Sequence, residues 1–156
     1  MKTIVLYATK YGAAREIAQR ITEKIDGAVS HDLKQNNVPD LTSFDCIIIG
    51  ASVYAGSLRK EARDFVSQNE GVLLQKKLGL FISGIGEGDG MGYFKKSYPN
   101  GVLQNAKATG LFGGIFDPGK ANFLERLIMR IITKQSGIVN NINEGKIDQF
   151  VGALKS

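Results

Sequence analysis

Three short segments of this 156-residue chain combine residue types that can hold a ligand. The first is Thr9-Lys10-Tyr11-Gly12-Ala13-Ala14-Arg15, a hydroxyl and a glycine set just before a run with helical spacing. The first N–H groups of a helix lack intrahelical acceptors and carry the positive end of its dipole, so such a segment can take an anion such as phosphate. A plain strand-to-helix turn capped by Thr9 reads equally well. The second is Gly50-Ala51-Ser52-Val53-Tyr54-Ala55-Gly56-Ser57. Its small residues would let a flat ring approach the backbone, and Tyr54 could stack on that ring; Tyr54 capping the core edge is the alternative. The third is Ser83-Gly84-Ile85-Gly86-Glu87-Gly88-Asp89-Gly90-Met91-Gly92-Tyr93, with glycine at every second position from Gly84 to Gly92. That spacing suits positive φ angles and close ligand contact, or else a flexible lid.

Each segment follows an apolar run of the kind that forms a buried strand. The strands expected are Lys2 to Ala8, a weaker one around Ala28 to Leu33, Asp45 to Gly50, Lys77 to Ser83, and Thr109 to Ile115. Between them lie helical patterns: Gly12 to Ile25, Leu58 to Gln68, Met91 to Asn105 with a break near Pro99, Asn122 to Lys134, and Ile147 to Leu154. Strands alternating with helices imply a parallel sheet covered on both faces, because parallel strands need crossover connections. Ligands of such sheets sit at the carboxyl ends of the strands, where all three segments fall.

Several chemistries are excluded by what is missing. Only Gly12 stands where a dinucleotide fold wants Gly-x-Gly-x-x-Gly, and no strand is followed by a Gly-Lys-Ser/Thr phosphate loop. A phospho-accepting receiver would need an aspartate where Gly50-Ala51-Ser52 stands. One cysteine, Cys46, and one histidine, His31, provide neither a disulfide nor a zinc spacing, and His31 falls in the second strand, away from any nucleophile. No helix-turn-helix, zinc finger or ribonucleoprotein motif accompanies the net charge of +5, so no nucleic-acid partner is expected. The 43% hydrophobic and 22% charged composition is that of a folded globule, expected to be one domain over residues 1–156. The short apolar start and the lack of a bilayer-length run point to a cytoplasmic protein. A basic stripe of Arg126, Arg130 and Lys134 beside Phe123, Leu127 and Ile131 leaves open peripheral contact with an anionic membrane surface at the inner face, or a simply solvated helix face.

Taken together, the three segments resemble the flavodoxin superfamily, whose phosphate loop reads Ser/Thr-x-Thr-Gly-x-Thr. The matching positions are Thr9, Tyr11, Gly12 and Ala14. Ala14 lacks the motif's hydroxyl, a loss of about 1–2 kcal/mol, which Lys10 would offset electrostatically. A closer resemblance, carried by Ala8-Thr9, Arg15-Glu16-Ile17-Ala18, Gly50-Ala51-Ser52, Gly113-Gly114 and Phe123-Leu124-Glu125-Arg126-Leu127-Ile128-Met129, is to the branch typified by menaquinone-dependent protoporphyrinogen dehydrogenase. The Gly-rich third segment departs from that branch.

The resemblance implies an α/β flavodoxin-like three-layer sandwich with a five-stranded parallel sheet of order 2-1-3-4-5. It implies non-covalently bound FMN as cofactor and electron transfer as function, with a redox partner protein or a quinone as the other party. The FMN-binding residues implied are Thr9, Lys10, Tyr11, Gly12, Ala13 and Ala14 around the phosphate. Ser52, Val53, Tyr54, Ala55 and Gly56, with Ser83, Gly84, Ile85, Gly86, Gly90 and Tyr93, would flank the isoalloxazine ring. Two alternatives stand beside the electron carrier: an FMN-dependent oxidoreductase of a quinone or porphyrinogen, and a flavin-free interaction domain on the same fold.

Overall fold

The computed structural model describes residues 1–86, 88–117, 119, 126–127 and 139–156. The chain opens with β1 (Thr3–Ala8), α1 (Ala13–Glu23) and β2 (Val29–Asp32). A 3-10 turn at Leu41–Ser43 leads into β3 (Cys46–Tyr54), a short β4 (Ser57–Leu58), α2 (Lys60–Gln68) and α3 (Glu70–Leu73). Next come β5 (Lys77–Ser83), α4 (Met91–Ser97), α5 (Asn100–Asn105) and β6 (Ala106–Leu111). A ribbon of β7 (Ile115–Phe116) and β8 (Val139–Asn140) precedes the last helix, α6 (Glu144–Lys155).

Among the described residues the parallel strands lie in the order β2-β1-β3-β5-β6, with β4 paired antiparallel to the end of β3. Counting parallel strands alone, this is the expected 2-1-3-4-5. The fold is the flavodoxin-like α/β sandwich.

Side chains alternate across the sheet, and each face has its own helices. Ile4, Leu6, Ile47, Ile49, Leu80 and Ile82 meet Ala62, Val66, Leu73, Phe94 and Val102 from α2 to α5. Val5, Ile48 and Phe81 meet Ile17, Ala18 and Ile21 of α1 and Ile147, Phe150 and Leu154 of α6. On this second face the sheet is hollowed by glycines that receive a phenylalanine cluster. Phe112 stacks on Phe81 at 5.9 Å between centroids and meets Phe150 edge-on at 5.1 Å. A Cβ on Gly50 would stand 1.9 Å from the Phe81 ring, one on Gly110 2.2 Å from Phe112, and one on Gly79 2.8 Å from Phe150.

Several element limits differ from the sequence expectation, each for a physical reason. β3 runs on from Gly50 to Tyr54, because β4 folds back and pairs with Val53 and Tyr54. Leu58 therefore belongs to β4, and α2 begins at Lys60. The fifth parallel strand is Ala106–Leu111, earlier than Thr109 to Ile115, since Gly113 (φ 83) turns the chain and Ile115 pairs with Asn140 instead. The expected break near Pro99 separates α4 from α5, with Tyr98 extended (φ −119, ψ 149) as a residue before proline must be. The helix expected over Asn122 to Lys134 lies outside the described residues apart from Arg126 and Leu127, which are exposed and helical.

This packing can be tested at two places. Gly50→Ala forces a methyl into the Phe81 ring and should lower the unfolding free energy by about 3 kcal/mol, read by urea denaturation; an unchanged midpoint would contradict the socket. At the surface, Arg20 of α1 and Lys24 just after it hold Glu144 (2.8 Å each), and Lys24 also holds Asp148 (2.7 Å). The hydrogen bonds from Lys24 and Arg20 keep the Glu144 carboxyl below its ordinary range. A lowered folded-state pKa contributes stability above the unfolded value and loses it as pH falls through the folded one. Wild type should therefore lose stability relative to Glu144→Gln on acidification below the ordinary carboxylate range. Parallel stability curves for the two proteins would contradict this.

Candidate cofactor site

The rim is assembled by strand register. Ala8 of β1 is level with Ala51 of β3, and Ser52 with Ser83 of β5, so the chain leaves these strands at one end of the sheet. Beyond Ala8, the Thr9 hydroxyl accepts the Gly12 N–H at 2.8 Å, closing the loop into a tight turn. Gly12 takes φ 98 as the residue before α1, and the first intrahelical bond runs from Glu16 N to Gly12 O at 3.0 Å. The amides of Ala13, Ala14 and Arg15 precede that bond and so have no acceptor within the helix. The Thr9 hydroxyl that accepts this bond can still donate another. The side chains of Ala13 and Ala14 are buried, Ala14 completely, so each presents only its backbone to the rim.

The second segment is a strand extension with a hairpin, in place of the expected loop. Ala55 (φ 52) and Gly56 (φ 80) form its two-residue turn, the mirror-image geometry favoured between antiparallel strands. Arg59 N closes its base on Ser52 O at 3.2 Å. Tyr54 stands exposed near the tip, while Val53 packs into the core below. Two cations flank the Tyr54 ring: Lys10 Nζ at 3.6 Å from its centroid and the Arg59 guanidinium at 5.9 Å. Lys10 also lies 5.0 Å from the Tyr11 ring, so it links the first segment to the second. Lys96 of α4 donates to Gly56 O at 3.4 Å. The Ser52 hydroxyl is buried without a hydrogen-bond partner among the described residues.

In the third segment Ser83 is buried, and Gly84 N donates to Gly113 O at 3.0 Å. Gly88 (φ 97) and Gly90 (φ 76) need the left-handed backbone region, and a Cβ at Gly90 would stand 2.9 Å from Ile82. Asp89 accepts the Met91 N–H at 3.0 Å, so α4 begins there, and Tyr93 is half-buried against the core. Ile85 and Gly86 are half-buried and exposed respectively, with open space where a Gly86 side chain would be. Arg59, Lys96, Asp89 and Gly113 also belong to this rim. The sequence reading passes over Arg59 and Lys96; it quotes Asp89 in the third segment and Gly113 in the resemblance, but assigns neither to the site.

Other chemistry finds little support. Burial pushes the Cys46 thiol up to about 11, which keeps it protonated at neutral pH. His31 Nε2 lies 3.3 Å from Gln35 O on the edge strand β2, away from this rim. Among the described residues no group of three His, Cys, Asp or Glu could hold a metal. A cavity of about 300 Å³ lies between β6 and α6, lined by Thr109, Lys146 and Phe150 among others and bordered by Gly88 and Asp89 of the third segment.

A family profile described as Flavodoxin domain matches residues 4–140. The chain belongs to the flavodoxin domain family. The solved structure of Megasphaera elsdenii flavodoxin in its two-electron reduced form is 20% identical over 99% of each chain, with a TM-score of 0.59. Rubredoxin oxygen:oxidoreductase from Desulfovibrio gigas is 10% identical over 99% of this chain, at a TM-score of 0.58, and this chain spans 34% of that protein. A Lactobacillus acidophilus flavoprotein solved in complex with FMN is 15% identical over 72% of this chain and 90% of its own, at a TM-score of 0.50. No curated protein matches the sequence. Identities this low speak for the flavodoxin fold alone.

The hairpin provides a test of the local geometry. Alanine at a left-handed position costs about 1 kcal/mol, and Asn-Gly is the favoured pair for this turn. Ala55→Asn should therefore raise the unfolding free energy by up to about 1 kcal/mol, seen as a higher thermal midpoint. A lower midpoint would argue against the turn.

Proposed function

We infer that this flavodoxin-family chain binds FMN at the rim and passes electrons between the flavin and a redox partner. One observation carries the reading. An anion-binding helix start and an exposed aromatic hairpin stand side by side, linked by Lys10 at 3.6 Å from the Tyr54 ring. The residues present fit a phosphorylated flat ring. Nothing lies within 4 Å of a Cβ built on Gly12, Gly56 or Gly86. The buried Ser52 hydroxyl has no partner among the described residues, as a group that meets a ligand would.

Bound FMN would supply the electron-accepting and electron-donating chemistry, which this chain's own side chains lack. The amides of Ala13, Ala14 and Arg15 and the Thr9 hydroxyl would take the phosphate. Lys10 and Tyr11, whose ammonium and ring lie 5.0 Å apart, would border that loop. Ser52 would meet a polar atom of the cofactor, and Tyr54, with Val53, Ala55 and Gly56, would hold one side of the ring. The Ser83–Gly86 backbone, backed by Gly90 and Tyr93, would hold the other side. Exposure of the hairpin leaves that edge open to a partner.

The finer reading gives the protein a substrate of its own, as an oxidoreductase of the menaquinone-dependent protoporphyrinogen dehydrogenase type. It is supported by Gly113-Gly114 at the rim, where Gly113 O receives Gly84 N, and by the basic balance of the chain, suited to an anionic membrane surface. Among the described residues no helix is long and apolar enough to cross a membrane, so contact with a membrane quinone would be peripheral. An anaerobic assay with protoporphyrinogen and a menaquinone analogue separates this reading from a plain carrier.

The decisive experiment is titration of the purified chain with FMN. The expected result is quenched flavin fluorescence and a yellow protein, with Gly12→Ala, which sets a side chain at φ 98, lowering the unfolding free energy of the chain by about 1–2 kcal/mol. A chain that leaves FMN fluorescence untouched at saturating concentration overturns the reading.

A further inference from the structure

We propose that the groove between β6 and α6 docks an extended segment of a partner protein, added as one more strand to the open edge of the sheet. Among the described residues β6 is the last parallel strand, and no strand pairs with its outer side. The Phe112 N–H donates to Ile82 O at 3.1 Å, so Phe112 turns its backbone groups inward to β5. Alternation along the strand turns those of Gly110 inward too, and directs the N–H and C=O of Thr109 and Leu111 outward. Such a row of outward groups is a template for a further strand.

The groove, of about 300 Å³, has two unlike walls. On one side α6 presents Lys146, Gln149 and Phe150; on the other stands Asp89 of the third segment. Lys146 and Asp89 are both exposed. An added strand alternates its side chains between these walls, each on the face of the β6 residue opposite it. A residue opposite Gly110 points toward α6, where a Cβ on Gly110 would stand 2.2 Å from the Phe112 ring. An acidic side chain there lays its methylenes on Phe112 and Phe150 and brings its carboxylate to Lys146. Its two neighbours, opposite Thr109 and Leu111, point to the wall of Asp89, since a Cβ on the adjacent Gly90 would lie 3.5 Å from that of Leu111. Basic side chains match that wall. The occupant is therefore an extended segment that carries a carboxylate between two cations. Because β6 lies two strands from β3, a partner held here leaves the Tyr54 hairpin uncovered. The proposal is independent of what the rim binds.

The test titrates the full chain with a fluorescein-labelled peptide, Thr-Val-Lys-Glu-Lys-Val-Thr, blocked at both ends, and with its charge-reversed form, Thr-Val-Glu-Lys-Glu-Val-Thr. Fluorescence anisotropy reads the binding. The first peptide should bind about tenfold more tightly than the second. Lys146→Glu should abolish or invert that preference, whereas Lys34→Glu, the same charge change beyond the opposite edge strand, should preserve it. Methylation of the three central peptide nitrogens should abolish binding, because it removes the donors to the edge. Thr109→Pro should do the same from the protein side, and since the Thr109 N–H faces outward, no bond to β5 is lost. Urea midpoints check that each variant folds; should Thr109→Pro unfold, the methylated peptide carries the backbone test. Equal binding of the two peptides overturns the proposal, as does undiminished binding of the methylated one, or no binding of either at about 1 mM. A chain that dimerises in sedimentation, and is returned to monomer by Thr109→Pro, assigns the edge to a second copy and overturns it as well.

Discussion

The in-register pairing of β1, β3 and β5 is the constraint on which every other feature of the rim depends. Parallel strands in register end together, and the segment that leaves each of them is forced into the same neighbourhood. With Ala8 level with Ala51, and Ser52 level with Ser83, the helix start, the hairpin and the glycine loop have no other place to go. The hydrogen-bond ladder is backed by packing that tolerates no slip. A shift of one residue would turn Ile47 and Ile49 out of one core and Ile48 out of the other. It would also carry Gly50 away from the Phe81 ring that fills its place.

The two faces of the sheet then aim the parts of the rim. Ala14, Ile17, Ala18 and Ile21 anchor α1 on one face, so its first amides point toward the rim and their direction is set by core packing. On the opposite face α2 and α4 flank the hairpin, with Arg59 at its base and Lys96 at its turn. Gly84 sits close to Val53, where a Cβ would be 3.2 Å from the valine methyl. The small residues of the third segment therefore have two uses. Some keep the backbone of neighbouring loops close together, and others leave open space above them.

Much of this is legible in the sequence, for reasons that can be named. The buried central strands read as unbroken apolar runs, and α1 shows its apolar stripe at helical spacing; both signals arise from burial on a regular element. The limits of β3 do not read correctly. Gly50-Ala51-Ser52 consists of small residues that look like a loop, although Gly50 and Ala51 lie in strand pairing on both sides and Ser52 on one. The fifth strand reads too late because Phe112 continues the apolar run. Its side chain leaves the strand to enter the phenylalanine cluster, and Gly113 then turns the chain. The reach of Lys10 to Tyr54 has no sequence signal, since the contact joins residues 44 positions apart through the fold.

Charge and chemistry at the rim come from the same arrangement. The only thiol is sealed in β3 and the only histidine is on an edge strand, so neither stands at this site. What it presents is a set of positive groups of different reach. The helix start offers backbone dipoles that act over the first turn and suit an anion held in contact. Lys10 and Arg59 place cationic side chains beside the Tyr54 ring. A cofactor with a phosphate at one end and a flat ring at the other would meet both kinds of group in sequence, the first as anchor and the second as a field on its reacting end. The groups that would grip a phosphate thus belong to the backbone, and the cations beside Tyr54 belong to side chains.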